Sequence, residues 1–191
     1  MPFFIIVIGA SAGGRDVLCK LATTLPPELN AAVFIVSHLA KEGIDSFLAN
    51  HLQKCTSLRC QLAAEGQPIE TNHIYVAPVD FHLVLKPGTM HLTKDPAENR
   101  WRPSIDELFR TAAVHYKELV IGIILTGMLN DGTAGMQAIQ RCGGTCIVQD
   151  PREAEYPSMP QSVLNNTMVD FILPVAAMSE AIIETIEHKF D

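Results

Sequence analysis

Three residues of this chain could together run a hydrolytic relay: Ser11, His38 and Asp131. A serine hydroxyl is a weak nucleophile until a base removes its proton. An imidazole can do so, and it needs a carboxylate to fix its tautomer and stabilise its cation. Ser11 lies in Gly9-Ala-Ser-Ala-Gly-Gly14, directly after the apolar run Phe3 to Ile8. Gly9-x-Ser11-x-Gly13 matches a nucleophile elbow, where glycines let the backbone turn sharply and leave the hydroxyl exposed. The same stretch, read as Gly9-x-Ser11-x-x-Gly14, is a loosened dinucleotide fingerprint, and a plain glycine turn fits as well. Each residue also has a structural reading: Ser11 as a helix cap, His38 as a satisfied residue at a strand end, Asp131 as a turn residue in Asn-Asp-Gly.

Placement separates these readings. The run Phe3 to Ile8 reads as a buried strand, followed by a helix over Arg15 to Thr24 with Val17, Leu18 and Leu21 on one side. Leu25-Pro-Pro27 ends that helix, and Ala31 to Ser37 reads as a second buried strand with His38 immediately after it. Gly43 to Leu52 has helical spacing. Leu58 to Ala63 and His73 to Ala77 read as short strands, and His82-Leu-Val-Leu-Lys with Thr89-Met-His-Leu-Thr as a β-hairpin around Pro87-Gly88. His82 and His91 are therefore read as pleat residues, and polar Asp95 to Arg102 as a surface loop.

Ser104 three residues before Glu107 predicts a capping box opening a helix whose apolar stripe is Ile105, Leu108, Phe109, Ala112 and Ala113. Leu119 to Leu125 is the most apolar strand and flows into Thr126-Gly-Met-Leu-Asn-Asp-Gly132. A helix over Ala134 to Arg141, a strand over Thr145 to Val148, a short helix from Met159, a strand over Val169 to Leu173 and a closing helix over Ala176 to Lys189 complete the chain. Strands alternating with helices predict an α/β fold: a doubly wound, mostly parallel sheet with helices on both faces and an added hairpin. In such a sheet the strands' carboxyl ends share one edge, and ligands bind there. Ser11, His38 and Asp131 each fall just past a strand end.

Composition narrows the classes. With 191 residues the chain fits one domain, 1–191, and 48% hydrophobic residues supply its core. A formal charge of −7 argues against non-specific nucleic-acid binding. No apolar run reaches membrane-spanning length and no basic residue precedes the first strand, so neither direct membrane insertion nor a signal peptide is expected, and the cytoplasm is the default location. The five cysteines show no Cys-x-x-Cys pair and have poor zinc spacing. They read as buried reduced thiols, with no metal and no cofactor expected.

The spaced motifs resemble one family nearly end to end: the catalytic domain of the CheB chemotaxis receptor methylesterases. They are Gly9-Ala-Ser-Ala-Gly-Gly14, His38, Ile74-Tyr-Val-Ala-Pro78 followed by His82-Leu83, Arg102-Pro-Ser-Ile-Asp-Glu-Leu-Phe109, Leu125-Thr-Gly-Met-Leu-Asn-Asp-Gly132, Gly143-Gly144, Gln149-Asp150 and Met159-Pro160. The order Ser…His…Asp differs from that of the α/β-hydrolases. The resemblance implies hydrolysis of glutamate γ-methyl esters on chemoreceptor signalling helices, releasing methanol, with glutamine deamidation as a related activity. It makes Ser11 the nucleophile, His38 the base and then acid, and Asp131 its orienting partner. The Ala12 N–H becomes a candidate oxyanion donor, and Met128 lies beside the site.

The chain departs from that family at Ala12, where threonine is frequent, at Leu39-Ala40, where Met-Pro is usual, and at Leu129, where glycine is common. A positive φ at Leu129 would strain the turn that carries Asp131. The family's receiver domain has no counterpart in these residues, so the implied partners are methylated chemoreceptor helices and a separate receiver or methyltransferase protein. Two other classes compete. A nucleotide-binding module needs an acidic residue near the end of the second strand, where His38 stands instead. A catalytically weak CheB-like module that docks on receptors or another signalling partner is the second.

Overall fold

The computed structural model describes residues 3–38 and 47–189. Phe4–Ala10 forms β1, Gly14–Thr24 α1, Ala31–Ser37 β2 and Phe47–Gln53 α2. Arg59–Leu62 (β3) and His73–Val76 (β4) follow, then the hairpin of His82–Lys86 (β5) and Thr89–Thr93 (β6). Ile105–Tyr116 is α3, Val120–Ile124 β7, Thr133–Arg141 α4 and Thr145–Gln149 β8. Ser158–Asn166 (α5), Phe171–Leu173 (β9) and Val175–His188 (α6) end the chain. The expected elements are therefore present, with ends moved by a residue or two. Leu39-Ala40 and the start of the helix read over Gly43 to Leu52 lie outside the described residues.

Seven strands form one parallel sheet in the order β3-β4-β2-β1-β7-β8-β9, and β5 and β6 form a separate antiparallel pair. The alternation of β1 divides the core. Phe4, Ile6 and Ile8 point into a layer shared with α1, α2 and α6, while Ile5 and Val7 point into a layer shared with α3, α4, α5 and the hairpin. Every residue of β1 is buried, as a central strand covered on both faces requires.

Against the reading of five reduced thiols, Cys19 of α1 and Cys55 just beyond α2 form a disulfide, with Cα atoms 5.6 Å apart. Two crossover helices on one face of the sheet bring them together, a proximity that local spacing does not encode. Closing a loop of sequence separation 36 removes unfolded-state entropy worth about 4 kcal/mol on the chain-entropy account. Cys60, Cys142 and Cys146 remain free.

Candidate active site

Because β1 lies between β2 and β7, the loops after these three strands meet at one point of the carboxyl edge. The crossovers depart in opposite directions on either side of β1, which opens the crevice where ligands bind in such sheets. Ser11, His38 and Asp131 follow β1, β2 and β7 respectively. Ala10 is in register with Ser37, and the His38 N–H donates to the Ala10 carbonyl at 3.2 Å, so Ser11 and His38 leave neighbouring strands side by side.

The elbow has the predicted turn. Gly13 adopts φ 72°, a left-handed conformation that suits glycine, and the Gly14 N–H closes the turn on the Ser11 carbonyl at 2.9 Å. The loop after β7 clamps it. The Ser11 N–H donates to Thr126 O at 3.0 Å, and Thr126 Oγ1 donates to Ala12 O at 3.2 Å. Buried Gln149 in turn accepts from the Thr126 N–H at 2.7 Å. At Gly127 a Cβ would stand 2.9 Å from the Ser11 Cβ, so only glycine lets this loop pass so close to the serine. Neither the Ser11 hydroxyl nor the Ala12 N–H has a partner among the described residues.

His38 and Asp131 meet. Nε2 lies 3.0 Å from Asp131 Oδ2, and both side chains are 1% exposed. The N–H is not well aligned with that oxygen, and Nδ1 is buried with no partner. Such contacts commonly tighten only when substrate is bound. Trp101 stacks face to face on the imidazole, with ring centroids 4.0 Å apart and planes 4° from parallel.

Trp101 belongs to the stretch read as a surface loop, and most of that stretch is exposed, but Glu98, Trp101 and Arg102 are half-buried and the loop turns inward toward the site. Glu98 and Trp101 exchange backbone hydrogen bonds of 3.0 and 2.8 Å across a tight turn in which Asn99 and Arg100 have φ of 51° and 73°. Arg110 fastens the turn through Glu98. The turn brings Trp101 over His38, and Asn99 Nδ2 within 3.0 Å of Asp131 Oδ1 and 2.7 Å of Asp106 Oδ2. Nothing in a run of polar residues announces this; only the aromatic among them is a signal. We expect Trp101→Ala to lower kcat by about 3- to 30-fold, the worth of one buried ring contact, with Trp101→Phe retaining most of the rate in a methanol-release assay.

Asp131 is a cap as well as a partner of His38. Its carboxylate accepts from the N–H groups of Ile105 (2.8 Å) and Asp106 (3.1 Å), the first turn of α3, and from the Ser104 hydroxyl at 3.0 Å. The capping box expected from Ser104 and Glu107 is not formed, because the Ser104 hydroxyl is spent on Asp131 and Glu107 pairs with Arg110. Asp106 returns the arrangement, accepting the Gly135 N–H of α4 at 2.6 Å. The start of α3 is thus capped by a carboxylate from the loop leading into α4, and the start of α4 by one from the first turn of α3.

The two carboxyls diverge. Burial alone would raise Asp131, but His38, the Ile105 N–H and Asn99 outweigh it and hold this group below the usual carboxylate range. Burial dominates at Asp106 and, helped by the Asp131 charge, pushes it from 3.8 to about 6. The sign follows from linkage: between these values native protein holds a proton that unfolded protein has released, so this group's contribution to stability falls as pH rises from 3.8 to about 6. Asp131 contributes oppositely, losing stability as pH falls below the ordinary carboxylate value. Denaturant unfolding of Asp106→Asn should lack the decline across that upper window that the parent shows.

His82, read as a pleat residue, is buried between the hairpin and α3. Its Nδ1 accepts the Ser104 N–H at 3.2 Å, so Nε2 carries the proton and donates to Pro96 O, also at 3.2 Å. Leu129 has the positive φ that its position suggested, 68°, at a cost of about 1–2 kcal/mol, yet Asp131 still reaches His38. Met128 and Leu129 are 53% and 52% exposed, and the exposed Tyr156 ring lies against Gly13 of the elbow, its carbonyl accepting the Gly127 N–H at 2.9 Å.

A family model described as CheB methylesterase matches residues 6–182. The chain belongs to the CheB methylesterase family. A Leptospira interrogans relative is 35% identical over the whole chain and 99% of its own length. The protein-glutamate methylesterase/protein-glutamine glutaminase of Thermotoga maritima is 34% identical over 95% of the chain, which spans 54% of that longer protein. The crystal structure of the Thermotoga maritima CheB methylesterase catalytic domain superposes with a TM-score of 0.91 at 34% identity, covering 96% of this chain and 99% of that one. The α/β reading and the family resemblance are therefore borne out. No described helix is long and apolar enough to cross a membrane.

Proposed function

We propose that this CheB-family methylesterase hydrolyses glutamate γ-methyl esters on chemoreceptor signalling helices by a serine mechanism, with deamidation of receptor glutamines as a side activity. One observation supports this most: His38 and Asp131, buried against each other, follow the two strands that flank the one carrying the elbow serine, whose hydroxyl has no partner among the described residues. Asp131 faces Nε2, which leaves Nδ1 of His38 as the base. Ser11 Oγ attacks the ester carbonyl as its proton passes to Nδ1. The oxyanion that forms meets the Ala12 N–H, a donor with no partner to give up among the described residues. The imidazolium, stabilised by Asp131, then returns its proton to the departing methoxide, and methanol leaves. Water, deprotonated by the same nitrogen, cleaves the acyl-serine to free glutamate.

A protein substrate suits the surroundings. Met128, Leu129 and Tyr156 are exposed hydrophobic side chains, and a cleft of about 430 Å³ along the first turn of α1 carries Arg15 and Lys20 opposite Glu153 and Glu155. These offer a helix apolar contact and charges of both signs. The docking of receptor helices here, action in the cytoplasm and partnership with a separate receiver or methyltransferase protein belong to the same reading. A fluorophosphonate should label Ser11, located by peptide mass spectrometry, and methylated receptor should protect it. Methanol release without labelling, or labelling elsewhere, would overturn the mechanism.

A further inference from the structure

Away from the sheet edge, Cys19, His51 and Cys55 bring two sulfurs and an imidazole nitrogen within 4.8 Å of one another. The residues come from two elements. Cys19 projects from α1, while His51 lies in the last turn of α2 and Cys55 two residues past its end, the Cys55 N–H bonded to Leu52 O at 2.8 Å. The turn that follows α2 brings Cys55 back over the last helical turn, on the side of His51. A structural disulfide needs no third residue. The His51 ring nitrogens nevertheless have no hydrogen-bond partner among the described residues, and the ring stacks on Phe47 with centroids 6.3 Å apart. All three side chains are half-buried, open enough for an ion to enter.

We propose that these three residues form a binding site for a borderline-soft closed-shell cation, zinc(II) by preference, available when the Cys19–Cys55 disulfide is reduced. Two thiolates and one imidazole match zinc in softness and cancel its charge, and they leave a fourth tetrahedral position for water. Bonds of about 2.3 Å to sulfur and 2.0 Å to nitrogen set tetrahedral ligand atoms about 3.5–3.8 Å apart. The two sulfurs, bonded to each other in the disulfide, therefore part by about 2 Å on reduction, while the His51 nitrogen is already within reach. The balance is explicit. A dithiol reductant gives two electrons and two protons to the disulfide and is itself oxidised to a disulfide. Zinc then displaces two protons from the thiols. Metal and disulfide are alternative cross-links between the same two helices.

The competing thiols are poorer ligands. Burial pushes Cys60 up to about 11 and Cys146 up to about 12, so both resist forming thiolates. The test is an anaerobic titration of the reduced full chain with cobalt(II), the spectroscopic stand-in for zinc, with circular dichroism to confirm folding. We expect one equivalent to give a thiolate-to-cobalt charge-transfer band and intense tetrahedral d–d bands, both erased by one equivalent of zinc. Cys19→Ser and Cys55→Ser should abolish the charge-transfer signal of the paired thiolates, and His51→Ala should weaken binding at least tenfold. Cys60→Ser and Cys142→Ser should leave the spectrum unchanged, and oxidised protein should give none. A folded, reduced chain without these bands would overturn the proposal. So would bands that survive in Cys19→Ser or in oxidised protein, or affinity undiminished in His51→Ala.

Discussion

Replacing Ser11 by alanine should lower methanol release from methylated chemoreceptor membranes by about 10⁴- to 10⁶-fold, to the residual rate that positioning and oxyanion contacts sustain without a nucleophile. The same variant should melt within about 1 °C of the parent. The hydroxyl has no partner among the described residues, so its loss leaves no group unpaired. The elbow is held instead by backbone bonds to Thr126 and by the left-handed Gly13, none of which needs the serine side chain. His38→Ala should fall to a similar rate, and the double variant should be scarcely worse than either, because nucleophile and base act as one unit. A variant that retained the parent rate would remove the serine mechanism, and an additive double variant would mean that His38 serves some other step.

Asp131 should behave unlike the usual third member of such a relay. Elsewhere its replacement can leave the fold intact and lower only the rate. Here the carboxylate also accepts from Ser104, Ile105, Asp106 and Asn99, all within 3.1 Å. Asp131→Ala would leave the Ser104, Ile105 and Asp106 donors buried and unpaired at the start of α3, while Asn99 keeps its bond to Asp106, a loss of about 3–5 kcal/mol, or roughly 10 °C in melting temperature. Asp131→Asn keeps one acceptor oxygen but turns an NH₂ toward groups that themselves donate. It should therefore lose stability as well as about 10³- to 10⁴-fold in kcat. Differential scanning calorimetry beside the methanol assay separates the two effects. A stable, inactive Asp131→Ala would show that α3 has another cap.

The main features of the site were legible because they follow from topology. Apolar runs bounded by glycine and proline put strand ends at Ile8, Ser37 and Leu125, within two residues of the observed Ala10, Ser37 and Ile124, and a doubly wound sheet brings such ends to one edge. The complete burial of β1 and the apolar stripe of α3 followed equally from their apolar residues. What escaped depends on partners distant in sequence. Ser104 and Glu107 spell a capping box, but a carboxylate from the loop after β7 took its place. The Asn99-Arg100 turn needs two positive φ values at residues that are not glycine, so polarity alone hid the ring over His38. Cys19 and Cys55 became neighbours only through the packing of two crossover helices.

The exchange of carboxylates between α3 and α4 also bears on how the enzyme fails when heated. Asp131 cannot release His38 by a small local motion, since moving it exposes the leading turn of α3, and moving α3 withdraws Asp106 from α4. The His38–Asp131 pair that we propose turns over substrate is thereby tied into the cooperative unit that melts. Activity and tertiary structure should disappear over one temperature interval, with no population of folded but inactive molecules preceding it. Selection for a hardier scaffold would therefore lengthen the working life of the active site without any change to the residues that perform the chemistry.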